Sequence, residues 1–452
     1  MKTALPVPPT ELTQNEREAF DKLEKSIAPS AYHDSRMRSR SSGCLPGTRR
    51  GQIESISNWI EMGGEKKPLF VVMGPAGSGK TSLLNTIAQI CKENGHYAAG
   101  FFFSGTDADR NNDGRFINTI AYQMAETIPE FRPYVARAIA SEPSLLNRSL
   151  ESQMRALLLE PLRQLWSDYP GFSSTIRPLI LVVDALDECG KLEDQRRVVA
   201  ALNKLLSFPF ACLLSSRFNT HIEHEISTTL TVHVHDRAIL GKNGNAEKAD
   251  IRAYLHASIE RIREQHAFGK RMPQGWPSES HIETVVQKSG GQFIFAATVI
   301  RYMESPDHNP HERLRSILGS SCCKEDLFAE LDALYLVLMS SVKKLPAALE
   351  ILGIELLRSS SQFWTPQTMK YNFNFNAHFR SLDADVVLAP LTSVLKCEDG
   401  NVEFYHLSFA EFLLDSTRSR EYFVHPKKWQ KWIVSSLVPS FYDGGCMWSS
   451  RL

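Results

Sequence analysis

The chain lacks the features that would make it a secreted scaffold, a membrane protein or a generic polyanion binder. Its eight cysteines in 452 residues form no C-x-x-C pair and no regular framework; only Cys322 and Cys323 are adjacent. That excludes a disulfide scaffold or a zinc-ribbon pattern, and the expectation is reduced thiols in an intracellular compartment. No apolar run approaches the ~20 residues a membrane span needs. The N-terminus, Met1 to Pro6, runs into prolines instead of an apolar segment, so no secretory leader is expected. Lys plus Arg equals Asp plus Glu, 51 against 51, and nothing global steers the chain to nucleic acid or lipid. A local basic group (Arg36, Arg38, Arg40, Arg49 and Arg50) sits in a Ser/Gly/Pro-rich stretch without interleaved aromatics and reads as a solvated linker. No repeat recurs at a solenoid or propeller period. These absences predict a cytoplasmic protein with no membrane span and no nucleic-acid partner.

What is present is ordinary in bulk and patterned in detail. Hydrophobic residues make up 42% and charged residues 23%, the balance of a globular chain long enough for several domains. An amphipathic stretch over 11–27 is broken by Pro29, and a helix is expected over 53–62. Strand and helix patterns then alternate: strands at 69–73, 98–104, 179–183, 211–215 and 230–234, with helices at 81–94, 115–127, 149–166 and 195–207 between them. Such alternation predicts an α/β fold with a parallel sheet and flanking helices. Beyond residue 236 the pattern becomes helical, at 246–265, 280–287, 293–303 and twice within 327–357. Residues 391–396 and 402–405 then flank a turn, Glu398-Asp399-Gly400-Asn401, and precede a helix at 409–414, the order of a small winged module. The expected domains are an N-terminal helix and linker (1–45), a sheet-containing domain (46–236), a helical domain (237–325), a winged-helix-like domain (326–425) and a remainder (426–452).

The most informative segment is Gly74-Pro75-Ala76-Gly77-Ser78-Gly79-Lys80-Thr81. It follows the apolar run 69–73 and precedes an amphipathic helix beginning at Ser82, the strand–turn–helix context of a phosphate-binding P-loop. Glycines let successive N–H groups converge on a phosphate, and the helix adds the positive end of its dipole. Lys80 is placed to neutralise the β- and γ-phosphates, and the Thr81 hydroxyl to ligate Mg2+. The cofactor expected is therefore a nucleoside triphosphate with Mg2+.

A P-loop needs a carboxylate at the end of a buried strand to position the metal. Leu179-Ile180-Leu181-Val182-Val183-Asp184 supplies it, with Asp184 as the second metal residue. Asp187 and Glu188 follow, and three acids so close together would repel one another without a cation. One of the pair can activate the attacking water; the pattern does not choose between them. Downstream, Leu213-Leu214-Ser215-Ser216-Arg217 is a strand ending in polar residues, where Ser216 or Arg217 could meet the γ-phosphate.

Together, the P-loop octet, Leu-Val-Val-Asp-Ala-Leu-Asp-Glu at 181–188 and Leu-Leu-Ser-Ser-Arg at 213–217 resemble the NACHT group of the STAND P-loop NTPases, closest to fungal members with a nephrocystin-like NTPase domain. Two further stretches share the resemblance, Cys44-Leu45-Pro46-Gly47-Thr48-Arg49 and Gly290-Gly291-Gln292-Phe293-Ile294-Phe295-Ala296. It spans roughly residues 30–425. It implies an NTPase core, a helical domain and a winged helix, and a histidine of the winged helix holding the β-phosphate of ADP. Tyr405-His406-Leu407-Ser408-Phe409 looks like the segment that carries it, so His406 is the candidate. ATP or ADP is the implied nucleotide, with GTP not excluded, because no base-reading motif is visible.

The resemblance thus implies a signalling switch, closed with ADP and open with ATP, with slow hydrolysis and self-association or association with related NACHT proteins. Relatives of this kind usually carry a long repeat array, and none is visible in this sequence. That favours an alternative, a nucleotide-competent decoy or regulator that oligomerises with longer relatives. A turnover ATPase, or a kinase with a small-molecule acceptor, is the other alternative. His221, His224, His233 and His235 could be drawn as a metal site, but alternation puts His233 and His235 on one polar strand face with no completing ligands. Phe101-Phe102-Phe103 reads as sheet core.

Overall fold

The computed structural model describes residues 11–36, 43–62, 67–105, 107–169, 179–241, 244–306, 308–318, 329–358, 380–398, 400–425 and 427–429. The expectations for Met1 to Pro6, Arg38, Arg40, Cys322, Cys323, Asp399 and residues 430–452 fall outside these. The chain divides into two units, Met1–Lys242 and Asn243–Leu452.

In the first unit five parallel strands are joined in the order β2-β3-β4-β1-β5. They are β1 (Leu69–Met73), β2 (Tyr97–Phe102), β3 (Leu179–Asp184), β4 (Phe210–Ser216) and β5 (Val234–Ile239). The four strands β1 to β4 are buried along their whole length, as parallel strands covered on both faces must be. Their alternation divides them between two cores. Leu69, Val71, Met73, Leu179, Leu181, Val183, Cys212 and Leu214 face one core, and Phe70, Val72, Ile180, Val182, Ala211 and Leu213 the other. The first layer is closed by α1 (Gln14–Glu24), α4 (Phe116–Thr127), α5 (Arg132–Ser141) and α8 (Leu192–Leu205). The second is closed by α2 (Arg50–Glu61) and α3 (Lys80–Glu93), through Ile56, Trp59, Leu83, Leu84 and Ile87. The result is a three-layer α/β/α unit.

In detail the elements differ in places from the expected pattern. The helix expected at 149–166 is present as one run over 150–168, in which α6 (Leu150–Gln153) and α7 (Glu160–Asp168) are joined through a π-helical stretch over Met154–Leu159. Apolar periodicity alone does not register that extra residue per turn. The last strand starts at Val234, not at 230. Leu230 instead ends α9 (Thr220–Thr229) and is fully buried, and Thr231–His233 forms a 3-10 turn. β5 carries His235, Asp236 and Arg237 because it is an edge strand with exposed positions.

The second unit contains α10 (Asn245–Gln265), α11 (Glu279–Lys288), α12 (Phe293–Glu304), α13 (Pro310–Leu318), α14 (Ala329–Ser340) and α15 (Leu345–Arg358). An antiparallel pair, β6 (Leu395–Glu398) and β7 (Asn401–Phe404), leads into α16 (Leu407–Leu414). The first of these strands begins later than expected because Ala389–Leu391, with a proline in its first turn, forms a 3-10 helix. Ile251, Val299, Leu338, Leu352, Val402 and Phe409 belong to one core here.

Phe101 lies at the centre of an aromatic group in the first unit, 4.6 Å from Phe103 and 5.4 Å from Phe116 between ring centroids, and is fully buried. Phe101→Ala is expected to destabilise the unit by about 3–5 kcal/mol, measured as a lowered midpoint of urea unfolding followed by far-UV circular dichroism.

Candidate functional site

Parallel pairing decides which residues meet. The register sets Met73 of β1 opposite Ser216 of β4, and Val183 of β3 opposite Leu214. The C-terminal ends of all three strands therefore share one edge, where open parallel sheets bind their ligands. From that edge Gly74 to Gly79 turn into α3. Gly77 and Gly79 have φ of 73° and 90°, the left-handed region that glycine enters without a side-chain clash. Gly74 is required for a different reason: a Cβ there would lie 2.9 Å from the Leu240 carbonyl oxygen. The Lys80 ammonium is folded over the loop, donating to the carbonyls of Gly74 at 2.8 Å and Pro75 at 3.0 Å. Burial pushes the Lys80 pKa down, opposed first by the charge of Asp187. Thr81 and Ser82 form the first turn of α3.

β4 lies between the strand of the P-loop and the strand of the acids, and one of its hydroxyls ties them together. The Ser215 hydroxyl donates to Asp184 Oδ1 at 2.5 Å and accepts the Ala185 N–H at 2.9 Å. Asp184 is only 1% exposed. Ala185 is left-handed, with φ 56°, a conformation that costs an alanine about 1–2 kcal/mol. That turn directs Asp187 and Glu188 away from the strand.

The two acids have different surroundings. Asp187 holds Arg217 with both oxygens. Oδ1 accepts the Arg217 backbone N–H at 2.8 Å, and Oδ2 lies 3.0 Å from the guanidinium Nε. Glu188 Oε2 accepts the Gly105 N–H at 3.0 Å, and Oε1 lies 3.8 Å from Arg217 Nη2. Burial, and then the charge of Asp187, push the Glu188 carboxyl up to about 7. The arrangement therefore separates a carboxylate engaged in a charge-assisted clasp from one poised to exchange a proton near neutral pH. The Ser216 hydroxyl donates to the carbonyl of Arg217 at 3.0 Å.

One basic residue was misread. Arg49, expected in a solvated linker, is 2% exposed and donates to the Ser78 carbonyl at 2.7 Å. It sits at the N-terminus of α2 with φ 56°, so the turn Leu45–Thr48 and the helix start carry its guanidinium under the P-loop. Ser215 and Gly105 were also missed. Ser215 adjoins the residues expected to matter, whereas Gly105 is far away in sequence and carried no signal.

His406 lies in the second unit, where it caps α16. Its Nδ1 accepts the Ser408 N–H at 3.0 Å and lies 2.7 Å from the Ser408 hydroxyl. That hydroxyl in turn meets the Tyr335 hydroxyl at 2.7 Å. An Nδ1 that accepts a backbone proton puts the proton of the neutral ring on Nε2, making that atom a donor. Among the described residues no group of three or more His, Cys, Asp or Glu side chains closes around a metal. His233 does not share a strand face with His235; it belongs to the 3-10 turn and lies 3.0 Å from Asn203 Oδ1.

Against known families, residues 51–217 match the family described as Nephrocystin 3, N-terminal. A comparison with curated proteins gave no match. Among solved structures, C. elegans PCH-2 is 12% identical, with 67% of this chain and 73% of that chain covered and a TM-score of 0.33. A chain of Drosophila ORC bound to DNA is 13% identical, with 89% and 92% covered and a TM-score of 0.30. Another, from Drosophila ORC bound to GC-rich DNA and Cdc6, is 12% identical, with 84% and 67% covered and a TM-score of 0.27. Superpositions this loose carry nothing about the chemistry of the present chain.

The raised Glu188 carboxyl has a consequence for stability. A group near 4.5 in the unfolded chain and about 7 in the folded one binds more protons when folded, so its contribution is present at low pH and lost as pH rises through about 7. Glu188→Gln is therefore expected to gain stability relative to the parent at pH 8 but not at pH 4.5. The difference, on the order of 1–3 kcal/mol, is read from urea unfolding of nucleotide-free protein at both values.

Proposed function

We propose that the chain is a nucleotide-driven signalling switch of the NACHT type, which binds ATP or ADP with Mg2+ and hydrolyses ATP slowly. The observation that supports this most is the shared strand edge, where the glycine turn, Lys80, Asp184, Glu188 and Arg217 are assembled. Backbone N–H groups from Gly74 to Thr81, the ammonium of Lys80 and the first turn of α3 with Ser82 would hold the phosphates. The donor set at Thr81 and Asp184, a hydroxyl and a buried carboxylate, suits Mg2+, which neutralises phosphate charge when bound. Glu188 takes a proton from the attacking water, and Asp187 orients Arg217. In this reading Arg217 exchanges its acid partners for the γ-phosphate, and so reports which nucleotide is present. His406, through its Nε2 proton, is the proposed donor to the β-phosphate of ADP. Residues 395–414 would form the winged module carrying it.

Switching requires differential affinity: ADP must favour one conformation and ATP the other. Self-association, or association with related chains, would follow from the ATP form. Protein purified without added nucleotide is expected to release near-stoichiometric ADP on denaturation, as measured by ion-exchange chromatography. Lys80→Ala should lower nucleotide affinity about 10–100-fold and abolish retention, and His406→Ala should reduce it. Small-angle scattering should then differ between the ADP and ATP complexes. Identical profiles with either nucleotide would overturn the switch. Steady multiple turnover with no retained ADP would favour a turnover ATPase, and association with longer relatives that survives Lys80→Ala would favour a decoy.

A further inference from the structure

The Gly105 amide that binds Glu188 lies beside a turn held by both backbone and side-chain hydrogen bonds. The Ser104 N–H donates to the Arg110 carbonyl at 3.1 Å, the Asp107 N–H to the Ser104 carbonyl at 3.2 Å, and the Arg110 N–H to the Asp107 carbonyl at 3.1 Å. Within it, Arg110 Nε donates to Asp107 Oδ2 at 2.7 Å, and Arg110 Nη1 to the Phe102 carbonyl at 3.0 Å. Asp107 Oδ1 accepts the Asp109 N–H at 3.0 Å. Asp107 and Arg110 thus fasten the chain that leaves β2 on both sides of Ser104, whose neighbour Gly105 carries the N–H bound to Glu188. The same loop grips the far side of the acidic turn, because the Asn111 carbonyl accepts the Gly190 N–H at 2.6 Å.

Asp107 has a further partner, remote in sequence. The hydroxyl of Ser30, in the short turn after α1, donates to Asp107 Oδ2 at 2.8 Å, and Ser30 is 5% exposed. Just before Ser30 the N-terminal segment is fastened to the same region. The Ala28 N–H donates to Thr119 Oγ1 at 3.0 Å, and Arg115 Nη1 to the Ile27 carbonyl at 2.7 Å. Hydrogen bonds therefore lead from Ser30 to Asp107 and on to the Ser104 carbonyl, next in the chain to Gly105, whose N–H binds Glu188.

We propose that Asp107, with Arg110, is a positioning site for Glu188, and that the N-terminal segment 27–31 docked on it through Ser30 sets the rate of hydrolysis. This rests on the reading of Glu188 as the residue that activates water. The physical basis is that a carboxylate with one oxygen held by a backbone donor is restricted in orientation. Loosening the donor lets the side chain leave the reacting geometry without touching the phosphate-binding loop. The prediction is a loss in kcat with little change in KM. A merely structural loop would not produce that separation.

The test uses the full chain. Steady-state kcat and KM for MgATP are measured in the parent, Asp107→Asn, Ser30→Ala, Glu188→Gln and the Asp107→Asn/Glu188→Gln pair. Hydrogen exchange at the Gly105 amide is followed in nucleotide-free protein. Asp107→Asn is expected to lower kcat about tenfold with KM within about twofold and to speed exchange at Gly105. Ser30→Ala, which removes only one hydroxyl, should lower kcat about threefold and covers the case in which Asp107→Asn does not fold. Glu188→Gln should cost about 100-fold or more in kcat, and Asp107→Asn should add nothing in that background. Parent-like kcat and exchange in Ser30→Ala and in folded Asp107→Asn, or a rise in KM alone, would overturn the positioning role. A parent-like kcat in Glu188→Gln would instead overturn the reading of Glu188, and the exchange data would still judge the loop.

Discussion

The site depends on the parallel register of β1, β4 and β3. Parallel strands end on the same edge, so the residues that follow three separate apolar runs arrive together although the chain between them is long. With Met73 opposite Ser216 and Val183 opposite Leu214, Ser215 and Asp184 fall side by side on the sheet face that α3 covers. A slip of one residue would turn Asp184 toward the opposite core and take its hydroxyl partner away. Burial on both faces makes such a slip costly, because it would exchange every apolar side chain of the strand between the two layers.

That edge gathers charges of both signs, Asp184, Lys80 and Arg49 buried and Asp187, Glu188 and Arg217 partly exposed. Buried ions persist only when paired and hydrogen-bonded, and each is provided for by the fold. Asp184 has Ser215, Asp187 has Arg217, Glu188 has Gly105, Lys80 has the P-loop carbonyls and Arg49 has Ser78. The partners are mostly neutral donors and acceptors, with Arg217 supplying the cross-charge pairing of the acids. In the proposed reading an incoming phosphate would draw Lys80 from the loop carbonyls and Arg217 from its acids, exchanging one set of charge-assisted bonds for another.

The second unit uses the same economy at a smaller scale. His406 serves its own helix first, accepting the Ser408 N–H, and that local bond determines its tautomer. Tyr335, fully buried against Phe409 and Phe412, needs a partner for its hydroxyl and finds it in Ser408. The Ser408 hydroxyl beside the imidazole is therefore tied to a core tyrosine on another helix, which no local pattern around His406 reveals.

Much was determined by sequence alone wherever the governing physics is local. Gly77 and Gly79 mark a left-handed backbone and Gly74 a close approach to a neighbouring carbonyl, and Lys80-Thr81 after them is the pattern expected of phosphate binding. The apolar run before Asp184 marks a strand buried on both faces, and alternation with helices implies a parallel sheet. Strand order, however, is a tertiary property: nothing in 210–216 says that it lies between β1 and β3. The same holds for contacts made across long loops. Arg49 looked like one of several linker arginines until the fold placed its guanidinium beneath Ser78. Gly105 and Ser30 became relevant only when packing set them against Glu188 and Asp107. Asp187 and Glu188, indistinguishable as neighbours in the chain, were separated by what surrounds each carboxylate, because burial and hydrogen bonding act through space and not along the sequence.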